Sequence, residues 1–162
     1  MGEADKKVSK KEFECEAALV CGEAFQRLAE GFIPRIHAIK EKSSPHMSNE
    51  LGDLVACATN LGFAIELYLK ALLMQLNIPV PRVHDLRALY DKIPGRVKEV
   101  LESVYDTAMI EDVRRLRGRV SFTLAKGPPK RPRRDEYKVS LDLPDLLARS
   151  RDIFESWRYI FE

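Results

Sequence analysis

Glu66 and Lys70 are the first residues whose types and spacing suggest chemistry. They lie four positions apart in a strongly apolar stretch, so on a helix they share one face, in the Glu-before-Lys order that favours an ion pair. Charges among apolar neighbours are rarely left unpaired. Two interpretations follow: a local ion pair that contributes about 0.2–0.5 kcal/mol, or a polar cleft between protomers in which Glu66 orients Arg158.

His84 and Asp85 form a second candidate, since a histidine beside a carboxylate can act as a general acid or base near neutral pH. Adjacent residues at a helix start more often act as caps, with Asp85 accepting a backbone N–H and His84 packing on the preceding turn. The sequence contains no GxSxG, HExxH, P-loop or dinucleotide-binding motif. A structural role for the pair is therefore favoured over catalysis.

Arg158 is a third candidate because it lies near the chain end beside Trp157, which we expect to face the core. On a helix, adjacent side chains point about 100° apart, so Arg158 is directed towards solvent or towards a seam beside the central helix. A partly buried guanidinium needs an acceptor with two oxygens. We predict the seam, with Glu66 as the carboxylate.

The cysteines and the N-terminus indicate the class of protein. Cys15, Cys21 and Cys57 show neither a CxxC motif nor a paired histidine spacing, which predicts free thiols in a reducing cytoplasm, with no metal site and no cofactor. Cys57 has alanine on both sides, which is typical of a small core residue. The charged N-terminal residues lack the apolar region of a secretory signal. Charges also interrupt the longest apolar stretch, which makes a membrane span unfavourable.

The segment from Val113 to Arg134 contains nine Arg or Lys residues and no acidic residue. Its glycines and prolines exclude a long helix, and short extended pieces at Val120–Leu124 and Tyr137–Leu141 predict a hairpin. The segment is either a solvated, disordered loop or an arm that contacts phosphates. Aromatic residues are too sparse there to support sequence-specific reading of a single strand.

The elements that must position these residues follow from apolar periodicity. The central one is a helix at Leu51–Leu76, capped by Ser48 or Asn49 and ended by Asn77 and two prolines. We predict an all-α, antiparallel bundle of about five helices with a basic loop or short hairpin before the last helix. The other helices begin at Glu12, with a kink near Pro34; at Val83–Leu86, continuing through Ile93; at Arg96, continuing to Met109; and at Pro144, continuing to the chain end. The helix through Ile93 has an inner face of Leu86, Leu89, Tyr90 and Ile93. The helix to Met109 has an apolar side, expected to face inward, of Val97, Val100, Leu101, Val104 and Tyr105.

Length and composition fit one domain with its own core, since the chain has 162 residues, of which 45% are hydrophobic and 32% charged. The net charge of +2 implies no particular partner. We expect a disordered N-terminus at 1–11 and a single domain at 12–162, with the basic insertion at 113–142.

Two blocks of the sequence resemble the HEPN superfamily. The first is AIELYLKALLMQLNIPVPRVHDLRALYDKIP, which combines a long helix, an apolar-proline link and a His-Asp-Leu start to the next helix. The second is the terminal FESWRYIFE, which is similar to the Trp-Arg-Tyr ending of a bacterial subset. The resemblance implies an antiparallel helical bundle that is often a homodimer.

The resemblance also implies a range of functions. Many such proteins are metal-independent endoribonucleases of toxin–antitoxin and defence systems, others pair with small nucleotidyltransferases, and some only bind. The nuclease members carry an Arg followed, after four to six residues, by a His. None of His37, His46 and His84 has an Arg at that spacing, and Arg158, the best match for the Arg, has no His after it.

The sequence therefore favours a cytoplasmic, non-catalytic or weakly catalytic HEPN-like protein that binds RNA or a partner protein. Two alternatives remain: a metal-independent endoribonuclease with Arg158 and Glu66 in a composite dimer site, and a structural interaction module. An excess of apolar faces predicts a homodimer, and the resemblance adds an antitoxin or a nucleotidyltransferase as a partner protein. The candidate binding residues are Lys70, His84, Arg131, Arg133, Arg134 and Tyr159.

Overall fold

The chain folds into helices. The computed structural model describes residues 9–38, 47–116 and 142–150, with side chains at 9–36, 52–109 and 142–150. No strand occurs in these ranges, and the predicted all-α bundle is confirmed. The helices are α1 (Lys10–Glu30), α2 (Ile33–Ala38), α3 (Met47–Gln75), α4 (Leu86–Asp91), α5 (Gly95–Leu116) and α6 (Leu143–Arg149).

The first predicted helix is two helices in the structure. α1 begins two residues before the predicted start at Glu12, because Ser9 and Glu12 form a reciprocal capping box. The chain then leaves the helix at Gly31 and Phe32, where the Phe32 N–H donates to the Ala29 carbonyl, and resumes as α2. The interruption therefore precedes Pro34, which lies in the first turn of α2, where its missing N–H has no consequence.

α3 begins earlier than predicted. Ser48 and Asn49 lie inside the helix, so their predicted capping role is wrong. Capping preferences do not distinguish among several adjacent residues, and boundaries are uncertain by one or two positions. The predicted end is correct: Asn77 adopts a left-handed conformation with φ of 59°, and the Ile78 N–H donates to the Leu73 carbonyl. This closes the helix with the geometry of a Schellman motif.

α1 and α3 pack antiparallel through small residues. The Cys15 thiol donates to the Ala71 carbonyl near one end of the pair, and the Cys57 thiol donates to the Ala29 carbonyl near the other. Between them, Gly22 lies directly against the ring of Tyr68. Close approach of the two backbones therefore depends on small side chains along α1.

The principal core lies where α3, α4 and α6 meet. Its buried members are Leu69, Leu73, Leu86, Leu89, Tyr90, Ile93 and Leu147. Burying each large apolar side chain contributes about 1.5–3 kcal/mol. The Arg87 guanidinium also donates to the Pro144 carbonyl at 3.1 Å, which ties α4 to the start of α6. The inner face predicted for the helix after the double proline is thus present.

Two later elements differ from their predictions. α5 continues seven residues beyond Met109, and Val100 and Val104, predicted to face inward, are 60% and 65% exposed. Among the residues of α5 whose side chains are described, Val97 and Leu101 pack against the core, because the apolar side of the helix is wider than the strip that its neighbours cover. α6 ends at Arg149 with Ser150 as its C-cap, so the predicted helix is interrupted there, and the rest of its predicted range, 151–162, lies outside the described residues.

Part of α3 is apolar enough to resemble a membrane span. The segment Gly52–Gln75 is long enough and apolar enough to cross a membrane, by length and composition alone. Core helices of soluble proteins can have the same length and composition. Here α3 packs against α1, α2 and α4, and it carries a buried ion pair, which is typical of a core helix.

Candidate functional site

Glu66 is the charged residue that the described part of the chain buries, with its side chain only 6% exposed. It lies in the apolar middle of α3, between Ile65 and Leu67. A carboxylate at such a position is stable only when its oxygens are paired. Its partners therefore define the candidate site.

Lys70 is the first partner. Its ammonium nitrogen lies 2.6 Å from Oε1 of Glu66, one helical turn away, and its side chain is 19% exposed. The structure thus contains the ion pair that the four-residue spacing suggests. Because both groups are mostly removed from water, the loss of either partner should cost more than the loss of one partner of an exposed pair on a helix surface.

His84 is the second partner, and it arrives from the next part of the chain. From Glu66, α3 continues for about 15 Å to its end, and the link that contains Pro79 and Pro81 brings the chain back alongside. Nδ1 of His84 lies 3.1 Å from each oxygen of Glu66. Asp85 caps α4 as predicted, accepting the Ala88 N–H at 2.9 Å. His84 does not merely pack on the preceding turn, because its ring is bonded to α3.

The three side chains have a defined hydrogen-bonding order. An ionised carboxylate only accepts hydrogen bonds, so Nδ1 of His84 carries a hydrogen and donates it to Glu66. One buried carboxylate therefore orients an ammonium group and an imidazole. The His84 side chain is 74% exposed, so this anchored ring is presented at the surface. Such an arrangement can position donors for a phosphate or hold a histidine as a proton acceptor.

Several predicted site residues lie outside the residues that the structure describes. Arg158, predicted to share a seam with Glu66, falls at 151–162, and so does Tyr159. Arg131, Arg133 and Arg134 fall at 117–141, as does the whole of the predicted hairpin. The Arg158–Glu66 seam and the basic arm therefore remain predictions.

Other reactive groups have structural roles. Cys57 is buried, and burial raises the pKa of its thiol, which keeps it protonated and unreactive. Burial, followed by the hydrogen bond to Glu102, raises the pKa of Tyr90 far above its ordinary value. Within residues 9–38, 47–116 and 142–150, no three His, Cys, Asp or Glu side chains gather as a metal site would require.

An open depression of about 570 Å³ lies away from Glu66. The start of α1 and the link after α3 line it, and Lys11 donates to Asn77 across it. Met74 and the link residues 78–80 give it an apolar lining, and the charged residues that line it, Lys11 and Glu14, are both exposed. The geometry for binding chemistry is therefore better developed at Glu66.

The sequence pattern missed the contact between His84 and Glu66. The two residues are 18 positions apart, and helical periodicity relates only residues on one helix. One signal was present: a single acidic residue on the apolar face of the central helix needs a donor, and His84 begins the helix that must pack beside it. The structure also contains an unpredicted ion pair of 2.9 Å between Arg35 of α2 and Asp53 of α3.

Comparison with protein families gives one match. A family model described as the HEPN domain matches residues 43–139, more than half of the chain. The matched region contains Glu66, Lys70, His84 and the whole basic run from Val113 to Arg134. Neither the curated proteins nor the solved structures give a match.

Proposed function

The chain belongs to the HEPN domain family, and we propose that it is a non-catalytic member that binds RNA as a homodimer. The observation that carries the proposal is the run of nine basic residues without an acidic one from Val113 to Arg134. The run starts within α5, whose other end is packed on the core through Val97 and Leu101. Clustered arginines neutralise an RNA backbone without needing a fixed fold.

Two features support binding without cleavage. No histidine of the sequence follows an arginine at the spacing that the nuclease members of the family use. In addition, Nδ1 of His84 is bonded to both oxygens of the buried Glu66. His84 is thus fixed to the core of its own protomer, and a matching arginine at the required spacing is lacking.

The Glu66 cluster supplies a smaller part of the binding surface. Lys70 and His84 are oriented donors, and Arg82 is exposed two residues before His84. Because Glu66 neutralises one positive charge, this cluster contributes less electrostatic attraction than the basic run. Its role in the proposal is to fix position, whereas the run supplies affinity.

The proposal is tested by the salt dependence of binding. Fluorescence anisotropy with a labelled single-stranded RNA is measured at several salt concentrations. Each neutralised phosphate contributes about −0.7 to the slope of log K against log salt for a single strand, so Arg131→Gln, Arg133→Gln and Arg134→Gln together should flatten the slope by about 2. Wild-type protein that retains no RNA at low salt would remove the proposal.

A matched control removes three charges elsewhere. Lys10→Gln, Lys92→Gln and Arg96→Gln change exposed residues outside the basic run, and this variant should keep the wild-type slope. The same samples report on catalysis. If the wild-type protein cleaves the RNA, and His84→Asn or Arg158→Ala abolishes cleavage without changing the free energy of unfolding, the protein is an endoribonuclease instead.

Family membership extends the proposal to a toxin–antitoxin or defence setting in the cytoplasm. An antitoxin or a small nucleotidyltransferase would then be the partner protein. Co-purification with the product of a neighbouring gene tests this extension, and a neighbouring gene product that does not associate would count against it.

A further inference from the structure

α1 carries a second apolar stripe that α3 does not cover. Phe13 is 66% exposed, and Val20 and Leu28 are each 56% exposed. Together with Ala17 and Ala24 they recur every three or four residues, which aligns them along one side of the helix. We refer to these five residues as the outer stripe.

The outer stripe faces away from the rest of the described bundle. The residues of α1 buried against α3 are Ala18, Gly22 and Ala29. At about 100° of rotation per residue, the outer stripe lies roughly 140° around the helix from them. α1 is therefore apolar on two sides, and exposed apolar patches of this kind mark interfaces.

The side chains of the outer stripe follow the same order of size in both directions along α1. Sizes run large, small, medium, small, large from Phe13 to Leu28. If two copies of α1 pair antiparallel about a twofold axis between Val20 and Cys21, Phe13 of one copy meets Leu28 of the other. Ala17 then meets Ala24, and small residues opposite one another allow close approach. Self-complementarity of this kind is what a twofold interface requires.

Charges beside the outer stripe match the same arrangement. Glu16 and Arg27 lie on one flank of it, and both are exposed. A twofold axis brings equal flanks together, so Glu16 of each copy comes opposite Arg27 of the other. The existing ion pair of Arg27 with Glu23 is long, at 3.7 Å, and exposed, so it does not hold the guanidinium in place.

From these observations we infer that α1 is a self-association surface on which two copies of the chain pair antiparallel through the outer stripe. The inference rests on the homodimer of the proposed function and adds its surface, orientation and register. Cys21 provides a direct probe. It is exposed, and it lies on the flank opposite Glu16 and Arg27, close to the twofold axis.

The first experiment is chemical crosslinking. A short bismaleimide should join two full-length chains through Cys21. Cys21→Ser should abolish the crosslinked dimer, whereas Cys15→Ser should leave it, because Cys15 is turned towards α3 and bonded to Ala71. A crosslinked dimer that still forms in Cys21→Ser would overturn the register. A wild-type protein that has the mass of a dimer but forms no crosslink would overturn it as well.

The second experiment measures mass by light scattering on a sizing column. Val20→Glu places two carboxylates near the twofold axis and should weaken the dimer by roughly 100-fold or more, since opposed like charges are strongly unfavourable. Val104→Glu is the matched control, because it is the same change at an exposed position of α5. Circular dichroism of both variants checks folding. The Cys21 crosslink tests the surface without relying on either variant.

The outcomes separate this inference from the proposed function. A dimer that survives Val20→Glu but dissociates with Val104→Glu would place the interface on α5 and overturn the inference alone. A wild-type mass near 18.5 kDa at micromolar concentration would overturn the homodimer and the pairing together, while RNA binding is judged by its own salt slope. If Val20→Glu dissociates the dimer as expected but the wild-type dimer binds no RNA, the proposed function alone is overturned.

Discussion

Lys70→Met tests whether the Glu66 cluster is as buried as the structure shows. The substitution keeps the length and apolar stem of the side chain but removes the ammonium group that lies 2.6 Å from Oε1 of Glu66. The carboxylate then keeps a hydrogen bond from His84 but loses its permanent positive partner. The variant therefore isolates the cost of leaving a charge in the core.

The size of the effect follows from exposure. Breaking a fully buried pair by removing one partner costs about 3–5 kcal/mol. Here the expected loss is smaller, at about 2–3 kcal/mol, because Lys70 is 19% exposed and His84 still donates to both oxygens. For a chain of this length the loss corresponds to a fall in melting temperature of about 5–10 °C.

Urea titrations followed by circular dichroism measure this loss. Lys10→Met is the matched control, because Lys10 forms an exposed ion pair of 3.7 Å with Glu14 four residues later, and it should cost less than about 0.5 kcal/mol. The double variant Glu66→Leu/Lys70→Met should recover most of the stability, since an apolar pair replaces the ionic one. If Lys70→Met costs no more than Lys10→Met, water reaches Glu66 and the burial argument is wrong.

Two further predictions concern packing and pH. Gly22→Ala should cost about 1–3 kcal/mol of stability, since a Cβ there would lie 2.8 Å from the Tyr68 ring. Gly52→Ala is the control, because its Cβ would meet nothing within 4 Å, and it should stabilise the protein by about 0.5–1 kcal/mol. Equal effects of the two substitutions in urea titrations would contradict the close contact of α1 and α3. Burial and the hydrogen bond to Glu102 raise the pKa of Tyr90, so the folded state favours its neutral form and stability should fall as the pH rises above about 10. Thermal melts of Tyr90→Phe should show a shallower alkaline loss, and a slope equal to that of the wild type would refute this assignment.

Periodicity predicted the parts of the fold that depend on one helix at a time. The apolar spacing of α3, the end of that helix at Asn77 and the inner face of α4 all follow from residues a few positions apart. The boundaries were harder. Ser48 and Asn49 are good capping residues that lie inside α3, because several neighbouring residues satisfy the same local preference.

Contacts between helices were not predictable in the same way. Val97 and Val100 are both apolar on α5, yet only Val97 packs against the core, and the choice depends on where α4 and α6 lie. The candidate site shows the same limit. Spacing indicates the pair of Glu66 and Lys70, whereas His84 joins it only because the proline-containing link reverses the chain.

The position of Glu66 explains how the site and the fold depend on each other. Apolar contacts between α3 and α4 have no direction, so on their own they specify the register of α4 less sharply than hydrogen bonds do. The bonds from His84 to both oxygens of Glu66 do have direction, and they fix the residue immediately before the capping Asp85. The buried carboxylate therefore sets the register of α4 as well as the orientation of Lys70 and His84. A binding surface built on these two side chains inherits its precision from the core, and a substitution that frees Glu66 should disturb the surface and the packing of α4 together.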